Sequence, residues 1–285
     1  MKLICESGAT KADWRVIKAG GAGEPVQIAR ALTGGTNVSH MERGIIEEII
    51  SVAAGKLPAG SYESVHFYTA GVLSDDILAW LEPCLKESFG AGEVEIQTDL
   101  VAAARAACGH APGIAVIMGT GSNSCLFDGK SIVKQVKSGG YILGDEGSAS
   151  VIGKLFISDY IKGLVPEDLA GEFDKAYPGM DYTAVVTNVY HPVGSPSAWL
   201  GAFCPFIISH YGHPYVKALV DGSLQAFIDR CLKQYDVSEY QVGIVGGFAL
   251  AIKDILLPLM EKNGISVRAI IPAPIDELVK YHAVL

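Results

Sequence analysis

Apolar and polar residues alternate along the first third of the chain in patterns that predict both strands and helices. The short apolar runs KLIC, SVHFYTAG and EVEIQT are each bounded by polar or glycine-rich residues, which is typical of strands. From Met41 to Ala54, isoleucines recur at helical spacing with glutamates between them. Two further helices are predicted to be opened by Ser74 and Asp99, both good N-cap residues. Residues 1–110 are therefore predicted to form a mixed α/β domain.

The order of strand, small-residue turn and strand occurs twice in the sequence. KLIC and ADWRVIKAG flank ESGATK near the start, and GIAVIM and CLFDGKSIVKQV flank GTGSNS about one domain length later. The repeat indicates an internal duplication, so residues 111–285 are predicted to form a second α/β domain. Helical patterns dominate residues 148–235 and predict an insertion in that domain, before the strand YQVGIV runs into GGFA.

The last segment, SVRAIIPAPIDELVKYHAVL, predicts a strand, a break at two prolines and a final helix. Ile275, Leu278, Val279 and His282 fall on one side of that helix. We expect residues 273–285 to pack back across the first domain and to act as part of a hinge.

Composition narrows the class of protein. The 285 residues are 49% hydrophobic, which is enough for two domains with buried cores. The formal net charge of -9, with no cluster of lysine or arginine, argues against nucleic acid or an anionic membrane as a partner. No apolar stretch approaches the length of a membrane span, so we expect a soluble, cytoplasmic protein. The six cysteines form no C-x-x-C pair, so neither disulfides nor structural zinc are expected.

Three predicted strands end in turns made of small and polar residues, ESGATK, GTGSNS and VGGFA. Backbone N–H groups in such turns form concave sites for anions, and a phosphate is the candidate ligand. Each turn by itself is equally well explained as a tight hairpin or, for VGGFA, as close packing between a strand and a helix. The repetition of the arrangement in both halves favours phosphate binding.

Seven sequence blocks carry a resemblance to a known family. They are ESGATKADW, GGTN, TDLVAAARAA, GTGSNS, GGYILGDEGSASVIGK, WLGAFCPF and VGGFA, and they span residues 6–249. The turns resemble the phosphate-1, phosphate-2 and adenosine motifs of the actin, sugar kinase and Hsp70 superfamily. Within it, the chain resembles the BadF/BadG/BcrA/BcrD-type family that includes N-acetylglucosamine kinase. The resemblance implies an α/β fold of two RNase H-like (actin-like ATPase) domains with a cleft between them, and the use of ATP and Mg²⁺.

The resemblance also implies which residues bind the two substrates. The residues implied to approach ATP are Gly8, Thr10, Lys11, Gly119, Thr120, Gly121, Gly246 and Gly247. The residues implied to contact the sugar are Asn37, Asn123 and Asp145. Glu6 stands where bacterial relatives commonly carry Asp, and it is implied to help hold Mg²⁺. Val38, Ser39 and His40 follow Asn37 where the animal kinases have an aromatic residue, which leaves the acyl-group specificity open.

Asp99 has two interpretations. An aspartate between a strand and an alanine-rich helix is a good N-cap on local grounds. By resemblance, it is the general base that takes the proton of the sugar 6-hydroxyl as this attacks the γ-phosphorus. With an ordinary pKa near 3.9 it would be ionised at neutral pH and ready to accept that proton. One carboxylate can serve in both roles.

Three functional hypotheses follow. The first is an ATP-dependent kinase of an amino sugar, with N-acetylglucosamine as the small-molecule partner and a homodimer as the assembly common in the family. The second is a relative of the ATPase activators of 2-hydroxyacyl-CoA dehydratases, which needs exposed cysteines for a shared iron–sulfur cluster, with Cys108 and Cys125 as the only candidate pair. The third is a sugar-binding regulator without catalysis, against which the retained Asp99 and phosphate turns argue.

Overall fold

The computed structural model describes residues 1–8, 11–19, 25–39, 41–71 and 73–283 of the chain. The chain packs into two compact units. Unit 1 consists of Met1–Ala111, Asp128–Ile132 and Ala273–Leu285, and unit 2 of Pro112–Phe127 and Val133–Pro272. Unit 1 therefore contains both the start and the end of the chain.

Unit 1 is built on a five-stranded mixed sheet in the order β3-β2-β1-β4-β5. Its strands are β1 (Lys2–Ser7), β2 (Lys11–Ala19), β3 (Pro25–Gly34), β4 (Tyr62–Thr69) and β5 (Ala91–Thr98). The first three are antiparallel neighbours, whereas β4 pairs parallel with β1 and β5 parallel with β4. Three parallel strands thus end at one edge of the sheet, at Ser7, Thr69 and Thr98.

Two helices of unit 1 lie between these strands in sequence, and a third follows β5. They are α1 (Arg43–Lys56), α2 (Asp75–Phe89) and α3 (Asp99–Cys108). The predicted cap of α2 is confirmed, because the Ser74 hydroxyl accepts a hydrogen bond from the Ile77 N–H. The predicted cap of α3 is wrong by one residue. Thr98 is the N-cap, since its hydroxyl accepts from the Val101 N–H at 3.4 Å, and Asp99 is the first helical residue.

The core of unit 1 forms where α1 and α2 cover the sheet. Trp14 is fully buried, with its ring 5.6 Å from the rings of both Phe67 and Phe89. The indole N–H donates to the Thr33 hydroxyl at 2.9 Å, so this large apolar side chain leaves no orphaned donor. Burial of aromatic and branched side chains here supplies the main stabilisation of the unit.

Unit 2 is built on a second five-stranded mixed sheet in the order β10-β9-β6-β7-β8. Its strands are β6 (Gly113–Met118), β7 (Ser122–Phe127), β8 (Ile132–Val136), β9 (Val242–Val245) and β10 (Val267–Ile271). β6 and β9 are parallel and are buried at nearly every position. Their carboxyl ends therefore meet at one edge, at Met118 and Val245.

Most of the remaining chain of unit 2 is helical. The helices are α4 (Gly140–Leu143), α5 (Ala149–Tyr160), α6 (Glu167–Ala176), α7 (Tyr182–Tyr190), α8 (Pro196–Gly201), α9 (Cys204–Ser209), α10 (Pro214–Arg230), α11 (Gly247–Ala251) and α12 (Lys253–Lys262). A cluster of aromatic rings around Phe173, including Phe156 at 5.1 Å, forms the centre of the core between the helices. Two sheets with helices packed on them confirm the predicted α/β class.

The final helix, α13 (Ile275–Ala283), belongs to unit 1. Ile275 and Leu278 pack with Ile4 and Tyr68, and the ring of His282 is buried beside Tyr68. The Lys2 ammonium donates to the backbone carbonyl of His282 at 3.1 Å. A role of this segment as a hinge stays a prediction.

The six cysteines are spread over both units. All six lie in the described part of the chain, and none of them is in a disulfide. Within the same residues, we find no helix with the length and apolar character that a membrane span requires.

Candidate active site

The predicted phosphate-1 residues lie at the edge of the unit 1 sheet where β1 ends. Glu6 is the penultimate residue of β1 and is the register partner of Asp13 on β2. The Gly8 N–H donates to the Lys11 carbonyl at 3.1 Å, across the turn that joins the two strands. Thr10, the third predicted phosphate ligand of this turn, lies outside the described residues. Glu6, Gly8 and Lys11 are thus grouped around one turn.

Glu6 is a half-buried carboxyl among other acidic groups. Burial raises the pKa of Glu6 to about 7; the positive charge of Lys11 opposes the rise, and the negative charges of Asp13 and Asp99 add to it. An oxygen ligand whose charge is so poorly compensated would gain from a nearby cation, because the cation favours the ionised form. Its donor chemistry fits Mg²⁺, which prefers carboxylate oxygens.

Asp99 lies at the same edge, at the first position of α3. Its carboxylate accepts the backbone N–H of Leu100, while burial raises the pKa of Asp99 to about 6. The expectation of an ordinary pKa was therefore wrong, because desolvation outweighs the one hydrogen bond. A carboxylate with this pKa is still mostly ionised at pH 7, and it is a stronger base than a solvated aspartate.

Asn37 belongs to the GGTN loop, which a buried network of hydroxyl groups holds at this edge of the sheet. The neighbouring Thr36 is completely buried, and both its N–H and its hydroxyl donate to the Ser7 hydroxyl at 2.8 Å. The Thr36 hydroxyl also lies 3.1 Å from that of Thr69. The Asn37 Oδ1 accepts from the Ser39 N–H at 3.1 Å, so the side-chain amide is held by its own turn. This network fixes the GGTN loop against the ends of β1 and β4.

Sequence reasoning missed the three network residues, Ser7, Thr36 and Thr69. None of them was singled out, because a hydroxyl residue in a strand or turn is unremarkable by itself. The available signal was positional: Ser7 and Thr69 are the last residues of β1 and β4. Carboxyl ends of neighbouring parallel strands are where ligand sites of α/β folds lie, so polar residues there are candidates.

The phosphate-2 turn, Gly119 to Gly121, joins β6 to β7 in unit 2. The Gly119 N–H donates to the Gly121 carbonyl at 2.9 Å. The first N–H groups of α5 hold the turn from below, since Ala149 donates to Gly119 and Ser150 to Thr120, both at 3.0 Å. The turn is therefore rigidly attached to the start of a helix.

Asp145 lies directly against this turn. A Cβ atom on Gly121 would come within 2.8 Å of the Asp145 Oδ2, so a side chain there would require this carboxylate to shift. The carboxylate accepts the backbone N–H of Ser122, and burial raises the pKa of Asp145. Asp145 is also the only non-glycine residue of the described chain with a positive φ, at 55°. Such a conformation is disfavoured and is often found at functional sites.

Asn123 occupies the second position of β7, next to Ser122. Its Oδ1 accepts from the Ser124 N–H at 2.9 Å and from the Gln135 side-chain amide at 3.3 Å. Its orientation is thus fixed from two sides. The two sugar-ligand candidates of unit 2 are thus linked through Ser122, which precedes Asn123 in β7 and whose N–H donates to Asp145.

The two glycines of the adenosine motif occupy the end of β9. Gly246 has a φ of 149°, and a Cβ atom there would lie 2.1 Å from the Met118 carbonyl oxygen. Glycine is therefore required for the ends of β9 and β6 to approach each other. Gly247 begins α11 and borders a pocket of about 490 Å³, which also contacts Gly119 and Thr120. We call this cavity of unit 2 the nucleoside pocket, after the adenosine motif that the sequence predicts there.

The cysteines named by the dehydratase-activator hypothesis are in an unsuitable place. Both Cys108 and Cys125 are buried, with 3% and 0% of their surface exposed. A cluster shared between two subunits needs thiolates at a surface. Their burial weighs against that hypothesis.

Similar proteins were found among solved structures. No family model matches the chain, and no curated protein matches it. Among solved structures, a proposed N-acetylglucosamine kinase from Porphyromonas gingivalis superposes with a TM-score of 0.87 and 34% identity, over 99% of each chain. A proposed N-acetylglucosamine kinase from Chromobacterium violaceum has a TM-score of 0.73 and 18% identity, over 98% of each chain. A ROK family glucokinase from Streptomyces griseus, in complex with glucose and AMPPNP, has 0.57 and 16%, over 98% of this chain and 97% of its own.

The similarity to the proteins from Chromobacterium violaceum and Streptomyces griseus shows the fold alone, because the sequence identities are only 18% and 16%. The similarity to the Porphyromonas gingivalis protein combines 34% identity with nearly complete coverage of both chains, which shows common family membership. The chain belongs to the N-acetylglucosamine kinase-like family of sugar kinases, which have the actin-like ATPase fold.

Proposed function

We propose that this sugar kinase transfers the γ-phosphoryl group of ATP to the 6-hydroxyl of N-acetylglucosamine, with Mg²⁺ as the metal. The observation that carries the proposal is the 34% identity to a proposed N-acetylglucosamine kinase over 99% of each chain. The buried carboxylate of Asp99, at the carboxyl edge of the unit 1 sheet, supports it with suitable chemistry.

Asp99 acts as the general base in this proposal. It accepts the proton of the 6-hydroxyl while the sugar oxygen forms a bond to the γ-phosphorus and the bond from that phosphorus to the β-phosphate oxygen breaks. A pKa of about 6 suits this role, because the carboxylate is ionised at pH 7 and still has a useful proton affinity. Phosphoryl transfer otherwise depends on positioning and on compensation of charge.

The phosphate turns supply much of that compensation. In unit 1 we assign the exposed ammonium of Lys11, beside Gly8, to the phosphates. In unit 2 we assign the turn from Gly119 to Gly121, whose backbone is held by hydrogen bonds from α5. Mg²⁺, when bound, would neutralise phosphate charge, and Glu6 is the residue we assign to it.

Asn37, Asn123 and Asp145 are assigned to the sugar. Amide and carboxylate groups fixed by the hydrogen bonds described above can each meet a sugar hydroxyl with little loss of side-chain entropy. A site of this kind rejects analogues that lack the hydroxyl. Val38, which follows Asn37, is buried, and no residue is assigned to the acyl group.

A coupled assay of ADP release over hexoses and hexosamines, with and without the N-acetyl group, tests the substrate. We expect the highest kcat/KM with N-acetylglucosamine and no phosphorylation of its 6-deoxy analogue. Mass spectrometry of the product separates sugar phosphorylation from bare ATP hydrolysis. A higher kcat/KM with glucose or an unacylated amino sugar would contradict the assignment of the substrate, and turnover of the 6-deoxy analogue would contradict the position.

We also propose a homodimer, on the resemblance to family members that are often dimers. Size-exclusion chromatography with light scattering at several protein concentrations measures the mass directly. A concentration-independent monomer would contradict this assignment without affecting the proposed reaction.

A further inference from the structure

The nucleoside pocket is walled by apolar side chains. Pro205 and Ile208 come from α9, Phe248 from α11, and Ile252 from the residue that follows α11. Among the described residues that line the pocket, Thr120 alone carries a hydroxyl, and Thr120 belongs to the phosphate-2 turn. The one side-chain hydroxyl of this lining is therefore on the turn that we assign to phosphate.

Cys204 contributes the other polar side-chain atom of the lining. It is 3% exposed, and its thiol donates to the Ala149 carbonyl at 3.1 Å. Burial raises the pKa of Cys204 to about 12, so the thiol stays protonated and its proton is already engaged. A neutral thiol is a weak hydrogen-bonding group, and this one has no reason to leave its carbonyl partner for a base.

Several backbone groups around the pocket are also engaged within the protein. The carbonyls of Gly119 and Thr120 and the Ala149 N–H take part in the hydrogen bonds that hold the phosphate-2 turn to α5, and the Gly119 N–H donates within the turn to Gly121. The Phe248 carbonyl accepts from the Ile252 N–H at 3.1 Å. The side chains of the lining thus offer a purine mostly apolar surface.

We propose that the nucleoside pocket selects its phosphoryl donor by the shape and apolar surface of a purine, not by the hydrogen-bonding edge of adenine. GTP and ITP therefore serve as donors beside ATP. In each case the γ-phosphoryl group moves to the sugar hydroxyl, the hydroxyl proton goes to Asp99 and the nucleoside diphosphate leaves. This inference rests on the proposed kinase function and extends it to the class of nucleotide.

The physical reason lies in how sites discriminate between similar ligands. A site built to hydrogen-bond one group rejects an analogue by roughly 10⁴- to 10⁵-fold, because its buried partners are left unpaired. An apolar pocket discriminates against an isosteric ligand by only about 10²-fold. Adenine, guanine and hypoxanthine share the same bicyclic ring and differ at its polar edge. Uracil has a smaller apolar area and loses contact surface.

The test compares ATP, GTP, ITP and UTP by kcat/KM with the best sugar, and compares ADP, GDP, IDP and UDP by displacement of a fluorescent ATP analogue. We expect the guanine and hypoxanthine nucleotides to stay within about 10²-fold of the adenine nucleotides in both measurements, and the uracil nucleotides to be weaker than all three. A larger preference for adenine in either measurement would overturn the inference. If no nucleotide supports phosphorylation of any sugar, the proposed function fails, and the displacement series alone still decides how the base is selected.

Phe248→Leu sharpens the test. Loss of aromatic surface should weaken ADP and GDP by the same factor and leave their ratio unchanged. Leu250→Ala is the matched control, because Leu250 lies on the same helix, is 37% exposed and does not line the pocket. A change of more than tenfold in the ratio of ADP to GDP affinity in Phe248→Leu, with none in Leu250→Ala, would show that the pocket reads the polar edge of the base and would overturn the inference.

Discussion

Two pairs of carboxylates in unit 1 differ in how their charges are compensated. Asp13 and Glu95 each accept hydrogen bonds from basic side chains, and both have lowered pKa values. Glu6 and Asp99, at the carboxyl edge of the same sheet, have pKa values raised by burial. Unit 1 therefore supplies strong cationic partners to the first pair and leaves the second pair ready for a proton or a cation.

Asp13 shows the compensated case on β2. Burial alone would raise the pKa of Asp13, but hydrogen bonds from Arg15 and Arg30 outweigh it. Arg30 donates from two nitrogens, at 2.6 and 3.1 Å, and Arg15 does so at 2.7 and 3.0 Å. Such a doubly bidentate arrangement stabilises the charge and leaves it unsuited to proton transfer.

Glu95 shows the same principle beneath α13. Arg105 donates to both of its oxygens, at 2.6 and 2.9 Å, and His66 contacts it at 2.9 Å. The His66 ring stacks on that of His282 at 3.7 Å, and burial lowers the pKa of His282 to about 3. Glu95, His66 and His282 place donor atoms within 4.8 Å of one another, but the Glu95 oxygens are already occupied. This cluster anchors α13 to the sheet.

The largest expected effect comes from removing the charge of Asp99. Asp99→Asn keeps the shape of the side chain but removes the proton acceptor, so turnover should fall by roughly 10²- to 10⁴-fold while ATP binding is retained. Thr98→Ala is the matched control, since it removes the N-cap of α3 and should cost about 1 kcal/mol of stability with little change in kcat. A folded Asp99→Asn protein with near wild-type turnover would remove Asp99 from the mechanism.

The sequence predicted the position of Asp99 but not its environment. The pattern of residues 91–108 was sufficient to predict a strand followed by a helix, because periodicity is a local property. The neighbouring Thr98 was overlooked as the cap, since either residue suits that position. The raised pKa depends on burial by parts of the chain that are distant in sequence, so no local pattern could reveal it.

Among the glycines and their neighbours, too, some features could be predicted from the local sequence and others could not. Gly246 and Gly121 were predicted from their place in small-residue turns, and the close approaches to Met118 and Asp145 give each of them a physical reason. The positive φ of Asp145 and the hydroxyl network around Thr36 could not be predicted, because both arise from contacts between separate segments. The roles of these residues in catalysis stay predictions until they are measured.

The next largest effect concerns the stability of the Glu6→Gln protein. The raised pKa means that ionised Glu6 destabilises the folded state, by about 3 kcal/mol above pH 7. This cost grows as the pH rises from the unfolded pKa near 4.5 to about 7, and it is absent at lower pH. Glu6→Gln should therefore be more stable than wild type in urea at pH 8 and equal to it at pH 4. Its turnover should need a higher Mg²⁺ concentration for half-maximal rate, because a carboxylate ligand is lost. Equal stability at both pH values would contradict the uncompensated state of Glu6.

Removing the cation that compensates Glu95 should lower the stability of the protein, whereas Glu6→Gln should raise it. Arg105→Leu removes both hydrogen bonds to Glu95 and one to the Tyr68 hydroxyl, and should cost about 2 kcal/mol of stability at pH 7. The difference in stability between Arg105→Leu and wild type should shrink as the pH falls below the unfolded pKa of Glu95. The lowered pKa contributes its full stability above that value, and the contribution is lost progressively as the pH falls towards the folded pKa. Urea unfolding at pH 7 and pH 4 measures both quantities. A loss that does not depend on pH would assign the effect to packing.

The pH dependence of kcat distinguishes the carboxylates with raised pKa values from those with lowered pKa values, without any mutation. With a pKa of about 6, Asp99 should make kcat fall by about fivefold between pH 6 and pH 5. Asp13 and Glu95, whose pKa values are lowered, stay ionised in this interval and do not contribute. A profile that remains flat to pH 4.5, measured where circular dichroism shows the protein to be folded, would contradict Asp99 as the base.

The smallest expected effect comes from Arg30→Ala, because the compensation of Asp13 is redundant. Arg30 is 48% exposed, and solvent screens its interaction with Asp13, whereas Arg15 is 11% exposed and remains bonded to the same carboxylate after the change. The urea midpoint of Arg30→Ala should therefore lie much closer to wild type than that of Arg105→Leu, and kcat should be unchanged. Arg15→Ala is the informative partner variant, since it removes the better buried of the two cations. If Arg30→Ala were more destabilising than Arg15→Ala, exposure to solvent would not be what ranks these two ion pairs with Asp13. The contrast between compensated and uncompensated carboxylates would then need another physical basis.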